Sequence, residues 1–239
     1  MLKILTSWYE EVHLIERAIM KRAESGGELA ILEAGCGQSW PLDLGNIQYN
    51  LTGVDLDAEA LRMRTEIIKD LHKGIHGDLR EIDFPEQSFD VIYSSYVLEH
   101  IDGAESVLKN FTRWLKKGGI IIILIPDPEA VRGFITRFSP HWFHVLYYKY
   151  IFGVKNAGKP GYGPYPTIYD KILYRDKLQQ FCAKNGLNID LQAGDGYYRL
   201  GKGRVDLFLK AFVKLVSFLS FNKLSSDHVN LLYILRKET

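Results

Sequence analysis

The 239 residues carry 46% hydrophobic and 25% charged side chains, with 30 Lys+Arg against 29 Asp+Glu and a net charge of +1. That length suits one sizeable α/β domain and falls short of two ordinary domains with a linker. The apolar content excludes a disordered chain, and the balanced charge lacks the basic excess of a dedicated nucleic-acid binder, so no nucleic-acid partner is expected.

Cys36 and Cys182 stand far apart without zinc-ligand spacing. They read as reduced thiols of a cytoplasmic protein, with no metal site. The early stretch from Trp8 to His13 is charged and amphipathic, unlike a secretory leader. No uncharged run approaches the ~18 residues of a spanning helix.

Residues 7–24 predict a helix, opened by the capping-box pair Ser7 and Glu10 and closed at Gly26-Gly27. Leu14, Ile15, Ala18 and Ile19 fall on its apolar face. Strands and helices then alternate. Segments 30–33 and 50–54 read as strands, 58–70 as a helix, 75–77 and 89–93 as strands, and 104–115 as a helix stopped by 116–119. Segment 120–125 is apolar throughout and suits a parallel strand buried on both faces. Residues 127–173 break the rhythm with aromatics, prolines and glycines and little periodicity. The pattern resumes with a helix over 175–184, a strand over 188–192 and a last strand over 229–235. The expectation is a single domain over 1–239, with a doubly wound, mostly parallel seven-stranded sheet and helices on both faces. Residues 127–173 form an insertion after the fifth predicted strand.

The motif with chemical content is Ile31-Leu32-Glu33-Ala34-Gly35-Cys36-Gly37, a strand that runs into an acid and then Gly-x-Gly. Glycines there allow positive φ and a close approach of ligand to backbone. Leu51-Thr52-Gly53-Val54-Asp55 places a carboxylate at the end of the next strand. In a doubly wound sheet that is where ligands bind, and a carboxylate there can accept both hydroxyls of a ribose. Two readings compete. A nicotinamide oxidoreductase would carry G-x-G-x-x-G for its pyrophosphate, but Trp40 stands where the third glycine belongs and Pro41 follows. A cofactor with a ribose and no phosphate fits better, and S-adenosylmethionine is one.

Glu-x-Gly-x-Gly, Gly-Val-Asp, Gly-Asp-Leu (77–79), Ser-Phe-Asp-Val-Ile (88–92), Leu-Glu-His (98–100) and Leu-Lys-Lys-Gly-Gly (115–119) follow in order. Together they resemble the class I S-adenosylmethionine-dependent methyltransferases, and within them the small-molecule, type 11 group that includes the ubiquinone and menaquinone biosynthesis enzymes. The resemblance implies S-adenosylmethionine as cofactor and a Rossmann-like methyltransferase fold. It puts Glu33 near the methionine amino group, Gly35 and Gly37 in the loop under it, and Asp55 on the ribose. Leu56 and Leu79 would flank the adenine, Asp78 would accept from its amino group, and Ser95 would meet the methionine portion. In one respect the chain departs from the family: 38–46 lacks helical periodicity, so the helix usual there is reduced to a turn. A methyltransferase-like binding module without catalysis is the other reading of the same residues.

Methyl transfer from a sulfonium needs alignment and exclusion of water, and a general base when the acceptor is a hydroxyl or a carbon acid. His100, His141 and His144 are the base candidates. The aromatics of 127–173 suit a small-molecule pocket wall, with a Gly/Pro lid at 159–166. In 204–221, Asp206, Lys210, Lys214 and Ser217 form one narrow polar stripe on an otherwise apolar helix. Such a helix suits the core, a homodimer contact or peripheral membrane contact, the last in keeping with a lipid-like substrate.

Overall fold

In a computed structural model, residues 2–159, 163–201 and 203–238 are described. Pro160, Gly161 and Tyr162 of the expected lid lie outside the described residues. The elements run β1 (Lys3–Leu5), α1 (Trp8–Ala23), β2 (Leu29–Ala34), β3 (Tyr49–Asp55), α2 (Ala58–Arg62), β4 (Lys73–His76), β5 (Phe89–Ser95), α3 (Ala104–Trp114) and β6 (Leu115–Pro126). They continue with α4 (Val131–Phe138), α5 (His141–Tyr150), α6 (Arg175–Lys184), β7 (Leu187–Asp195), α7 (Arg204–Leu219) and β8 (Asn230–Lys237).

The sheet order is β1-β7-β8-β6-β5-β2-β3-β4. Among the described residues, only β8 runs antiparallel to its neighbours. The seven expected strands are present, and β1 adds an eighth along β7. β6 is buried from Ile120 to Ile125 because helices cover both faces of the sheet. One face packs α1 and α2 through Ile15, Ile19 and Leu61. The other packs α3 and α6 through Leu108, Phe111, Trp114 and Phe181.

Several local expectations are corrected. The capping box is not reciprocal: Ser7 Oγ accepts from Glu10 N at 3.2 Å, but the Glu10 carboxylate accepts from Thr6 N at 2.9 Å. The helix expected over 58–70 changes to a π-turn at Met63–Ile68 and stops at Lys69, which is left-handed. No pause separates α3 from the next strand, since Leu115 already pairs with Phe89 and a register shift absorbs the glycines that follow. Residues 127–173 contain α4 and α5, which hide their periodicity by being aromatic on several faces.

The segment between β2 and β3 contains no helix, as its sequence implies. Leu42 and Leu44 are buried in its place. Glu16 Oε1 of α1 accepts from Asp43 N at 2.9 Å, and Asp70 Oδ2 accepts from Trp40 N at 3.3 Å. Two carboxylates thus satisfy backbone donors that helical bonds would otherwise have engaged.

The α7 helix is inside out. Three of its four polar stripe residues face the protein, Lys214 being exposed: Asp206 Oδ1 accepts from Leu200 N at 2.6 Å, and Lys210 lies 5.2 Å over the Tyr198 ring. Ser217 Oγ donates to Leu224 O at 2.7 Å. Leu207, Phe218 and Leu219 point away, each at least 65% exposed. Val213, with Val131 and Leu200, forms a small satellite core that ties α7 to α4.

Candidate active site

From β2 the chain winds outward through β3 and β4, and from β5 it winds the other way through β6, so the winding reverses between β2 and β5. At such a switch point ligands bind beyond the carboxyl ends of the strands. The residues there are Gly35 to Gly37, Asp55, and Ser94 to Tyr96.

Gly35 has φ 75° and its N–H donates to Val54 O at 2.8 Å. A Cβ at this position would run into Val97, so only glycine fits. Gly37 has φ 51° and open space where a Cβ would stand. Its N–H donates to Asp55 Oδ2 at 2.8 Å, joining the glycine bend to the strand-end acid. Asp55 Oδ1 accepts from Asp57 N at 2.8 Å. Asp57, not Asp55, caps α2, accepting from Glu59 N and Ala60 N at 3.0 and 3.1 Å. Each Asp55 oxygen therefore keeps a lone pair for a ligand hydroxyl.

Glu33 is buried and paired with Arg64, Nη1 to Oε2 at 2.7 Å. The same Nη1 donates to Cys36 O at 2.6 Å, and Arg64 Nε donates to Asp70 Oδ1 at 3.1 Å. Burial pushes both Glu33 and Arg64 towards neutrality, while Glu33 and Asp70 pull Arg64 above the ordinary arginine range. Glu33 thus acts on the glycine loop through Arg64. Sequence reasoning missed Arg64, which stands among charged helix residues. The π-turn that carries it inward has no signature in the periodicity.

Gly77 N donates to Asp55 O at 3.0 Å, which puts Asp78 one strand over from Asp55. Arg80 binds both Asp78 oxygens and holds its carboxyl below the usual aspartate range. Leu56 is exposed at the rim, whereas Leu79 is buried in the core cluster that includes Leu98. Ser94 Oγ is buried without a partner at the end of β5, Ser95 is half-buried, and Tyr96 has φ 56°.

A cavity of about 1030 Å³ opens beside this strand end. Tyr96 and Pro126 form its floor at the sheet, and α4, α5, α7 and residues 163–169 contribute walls. His100 lines it; Pro166 O can only accept, so Nδ1 donates to it at 2.6 Å and Nε2 is left unprotonated in the neutral ring. Burial lowers the His100 pKa. His144 also lines the cavity, 2.7 Å from Ser139 Oγ, its pKa lowered by burial and then by His141 and Arg132. α5 turns His141 outward, away from the cavity. Glu99, absent from the expected set, borders the cavity and is 2% exposed. On the other side of the sheet end, Glu11 of α1 is buried; burial pushes its carboxyl up to about 7, against a hydrogen bond from Tyr197.

Residues 32–123 match the family model for a methyltransferase domain. The chain is 29% identical over 102 residues to phosphatidylethanolamine N-methyltransferase of Cereibacter sphaeroides, covering 39% of this chain and 49% of the relative. It is 27% identical over 124 residues to demethylmenaquinone methyltransferase of Listeria welshimeri, covering 48% and 52%. The aligned part thus spans about half the length of these relatives. The S-adenosylmethionine-dependent methyltransferase of Mesorhizobium loti shares the fold at a TM-score of 0.58 and 16% identity, over 94% of this chain and 96% of that one.

Over residues 32–123 the chain is thus similar in sequence to a methyltransferase domain, and it shares the fold of a solved methyltransferase. The matched model is that of the type 11 group, and the matched residues include the motifs from Glu33 to Gly119.

Proposed function

We propose that the chain transfers a methyl group from S-adenosylmethionine to a small, largely apolar acceptor held in the cavity. The observation that carries this reading is the shared wall at the end of β5. That strand pairs with β2, which leads into the glycine bend, and Tyr96, directly after it, lines the cavity.

The donor set suits a nucleoside without phosphates. Asp55 has lone pairs for ribose hydroxyls, the open side of Gly37 leaves room for ligand, and no third glycine is present for a pyrophosphate. In this reading Glu33 lies near the ammonium end and supports the loop there through Arg64, Leu56, Asp78 and Leu79 border the adenine, and Ser95 meets the methionine portion. When bound, S-adenosylmethionine supplies an electrophilic methyl whose departure leaves a neutral thioether and needs no acid. The protein orients and dries the site, and orientation alone contributes roughly 7–11 kcal/mol. Of the three expected histidines, His100 and His144 are in reach of a bound acceptor.

Residues 127–173 serve as the substrate cover within one domain over 1–239. The acceptor enters from a lipid surface: Phe208 and Phe212 of α7 line the cavity and are also exposed, so the cavity opens through the outward apolar face. The phospholipid and the quinone precursor in the relatives' names belong to the same physical class. No helix among the described residues is long and apolar enough to cross a membrane, so the contact is peripheral.

Calorimetric titration of the full chain tests the reading. S-adenosylmethionine should bind in the micromolar range, at about −8 kcal/mol, and a nicotinamide dinucleotide should give no heat. The reverse pattern would establish the oxidoreductase alternative, and S-adenosylmethionine binding without turnover of any apolar acceptor would favour a binding module.

A further inference from the structure

We propose that Glu99 is the acceptor-side carboxylate of this site: it receives the hydrogen bond of a hydroxyl on an otherwise apolar acceptor and takes that proton during transfer. The step rests on the methyl-transfer reading, whereas the recognition of the hydroxyl does not.

Glu99 sits in the short turn Leu98–His100. Its carbonyl accepts from Ile168 N at 2.8 Å, which stitches the turn to the segment closing the cavity. The side chain is 2% exposed, borders the cavity, and has Oε2 buried without a hydrogen-bond partner. The residue's own backbone N–H acts on the carboxyl, and His100 Nε2, 3.8 Å from Oε1, is beyond hydrogen-bond reach. A buried carboxyl left unpaired destabilises the fold. Such groups persist where a ligand completes them.

The cavity supplies that ligand's description. Its walls are mostly Tyr, Phe, Leu, Ile and Val, with Arg132 as the cation among its lining residues. Arg132 makes no ion pair with a described carboxylate, Glu99 included. Oε2 lies just beneath the cavity wall, and a donor carried by the occupant reaches it once the carboxyl turns towards the cavity. An O–H on an apolar skeleton satisfies Oε2 without importing a second buried charge.

The electrons balance without a further reactant. An oxygen lone pair of the acceptor makes the new O–C bond, the S–C pair stays on sulfur, and the O–H pair stays on oxygen. The proton goes to the ionised form of the Glu99 carboxyl, which prevails above about pH 8, so a sulfonium and a carboxylate become a thioether and a neutral acid. Burial pushes the Glu99 carboxyl up to about 8. A phenolic hydroxyl titrates near 10 and an ordinary glutamate near 4.3, so burial removes most of the mismatch between donor and base.

The test compares 2-naphthol with its methyl ether, 2-methoxynaphthalene, by equilibrium dialysis against the full chain, Glu99→Leu and Glu99→Gln. The wild type should hold the naphthol about tenfold more tightly than the ether, the worth of one hydrogen bond to a charged or polarised carboxyl. Glu99→Leu should bind both within about twofold and should melt about 2–5 °C higher, having lost an unpaired buried carboxyl. Glu99→Gln, nearly isosteric, should keep part of the preference but lose at least about a hundredfold in methylation of the naphthol. A wild type without preference, a Glu99→Leu variant that retains the tenfold difference, or a Glu99→Gln variant with unchanged turnover would each overturn the proposal. S-adenosylmethionine titration of the same samples separates the two readings. Failure of the wild type to bind it removes methyl transfer, while the naphthol preference still reports on Glu99.

Discussion

Gly37 gives its backbone N–H to Asp55 Oδ2 at 2.8 Å, so the bend after one strand is fixed by the acid that ends its neighbour. The carboxylate both shapes the loop and presents its remaining lone pairs to a ligand. Asp55→Ala should therefore lower S-adenosylmethionine affinity by at least about thirtyfold, more than 2 kcal/mol. Because Asp55 is partly exposed, its loss should cost under about 1.5 kcal/mol of stability, the net worth of hydrogen bonds that water can replace. Calorimetry and urea melts read the two quantities separately, and unchanged affinity would place the nucleoside elsewhere.

The Arg64–Glu33 pair belongs to the scaffold beneath that loop. Arg64→Met leaves Glu33 buried without its cation and should cost about 3–5 kcal/mol. Adding Glu33→Gln should return much of that loss, because the uncompensated charge disappears. A double-mutant cycle by chemical denaturation measures the coupling. Additive losses would mean that the two side chains act independently despite their 2.7 Å contact.

What the sequence made legible here was local and periodic. The glycine bend and Asp55 stand where a strand ends, and strand ends are marked by residues adjacent in the chain. β6 could be placed because a run without a polar face has one physical home in such a sheet. Arg64, Glu11 and Glu99 were illegible for a shared reason: a charged residue in a helix or turn reads as solvated, and only tertiary packing decides that it points inward. α7 shows the opposite limit. Its narrow polar stripe was visible, but periodicity cannot say which side meets the protein, and Asp206, Lys210 and Ser217 turn out to make the internal contacts. The two helices of 127–173 escaped detection because aromatics on several faces erase the period that marks an amphipathic helix.

Glu11 gives the fold a pH dependence with a definite sign. Its carboxyl titrates at about 7 in the folded chain, raised by burial, and near 4.5 when unfolded. Between these values the folded state holds the extra proton, so the contribution is full below about 4.5 and is lost as pH rises through 7. Glu99 adds a slope of the same sign, with its folded value at about 8. Glu11→Gln should then melt close to the wild type at pH 4.5 and several degrees above it at pH 8. Thermal scans across that range check this, and a difference that shrinks as pH rises would contradict the buried, protonated acid.

The inside-out packing of α7 makes the final prediction. Leu207, Phe218 and Leu219 lie on the outward face and do not line the cavity, so replacing all three with serine leaves the acceptor walls intact. If that face rests on lipid, each residue contributes roughly 1.5–3 kcal/mol when buried. The triple variant should then lose at least about tenfold in partitioning to anionic vesicles, even allowing for shallow insertion. Co-sedimentation with sucrose-loaded phosphatidylglycerol vesicles reads this directly, and S-adenosylmethionine affinity should be unchanged in the same variant. Sedimentation velocity distinguishes the other occupant. A wild type that is a stable dimer and a variant that is a monomer, with equal vesicle binding by both, would assign the face to a second copy of the chain.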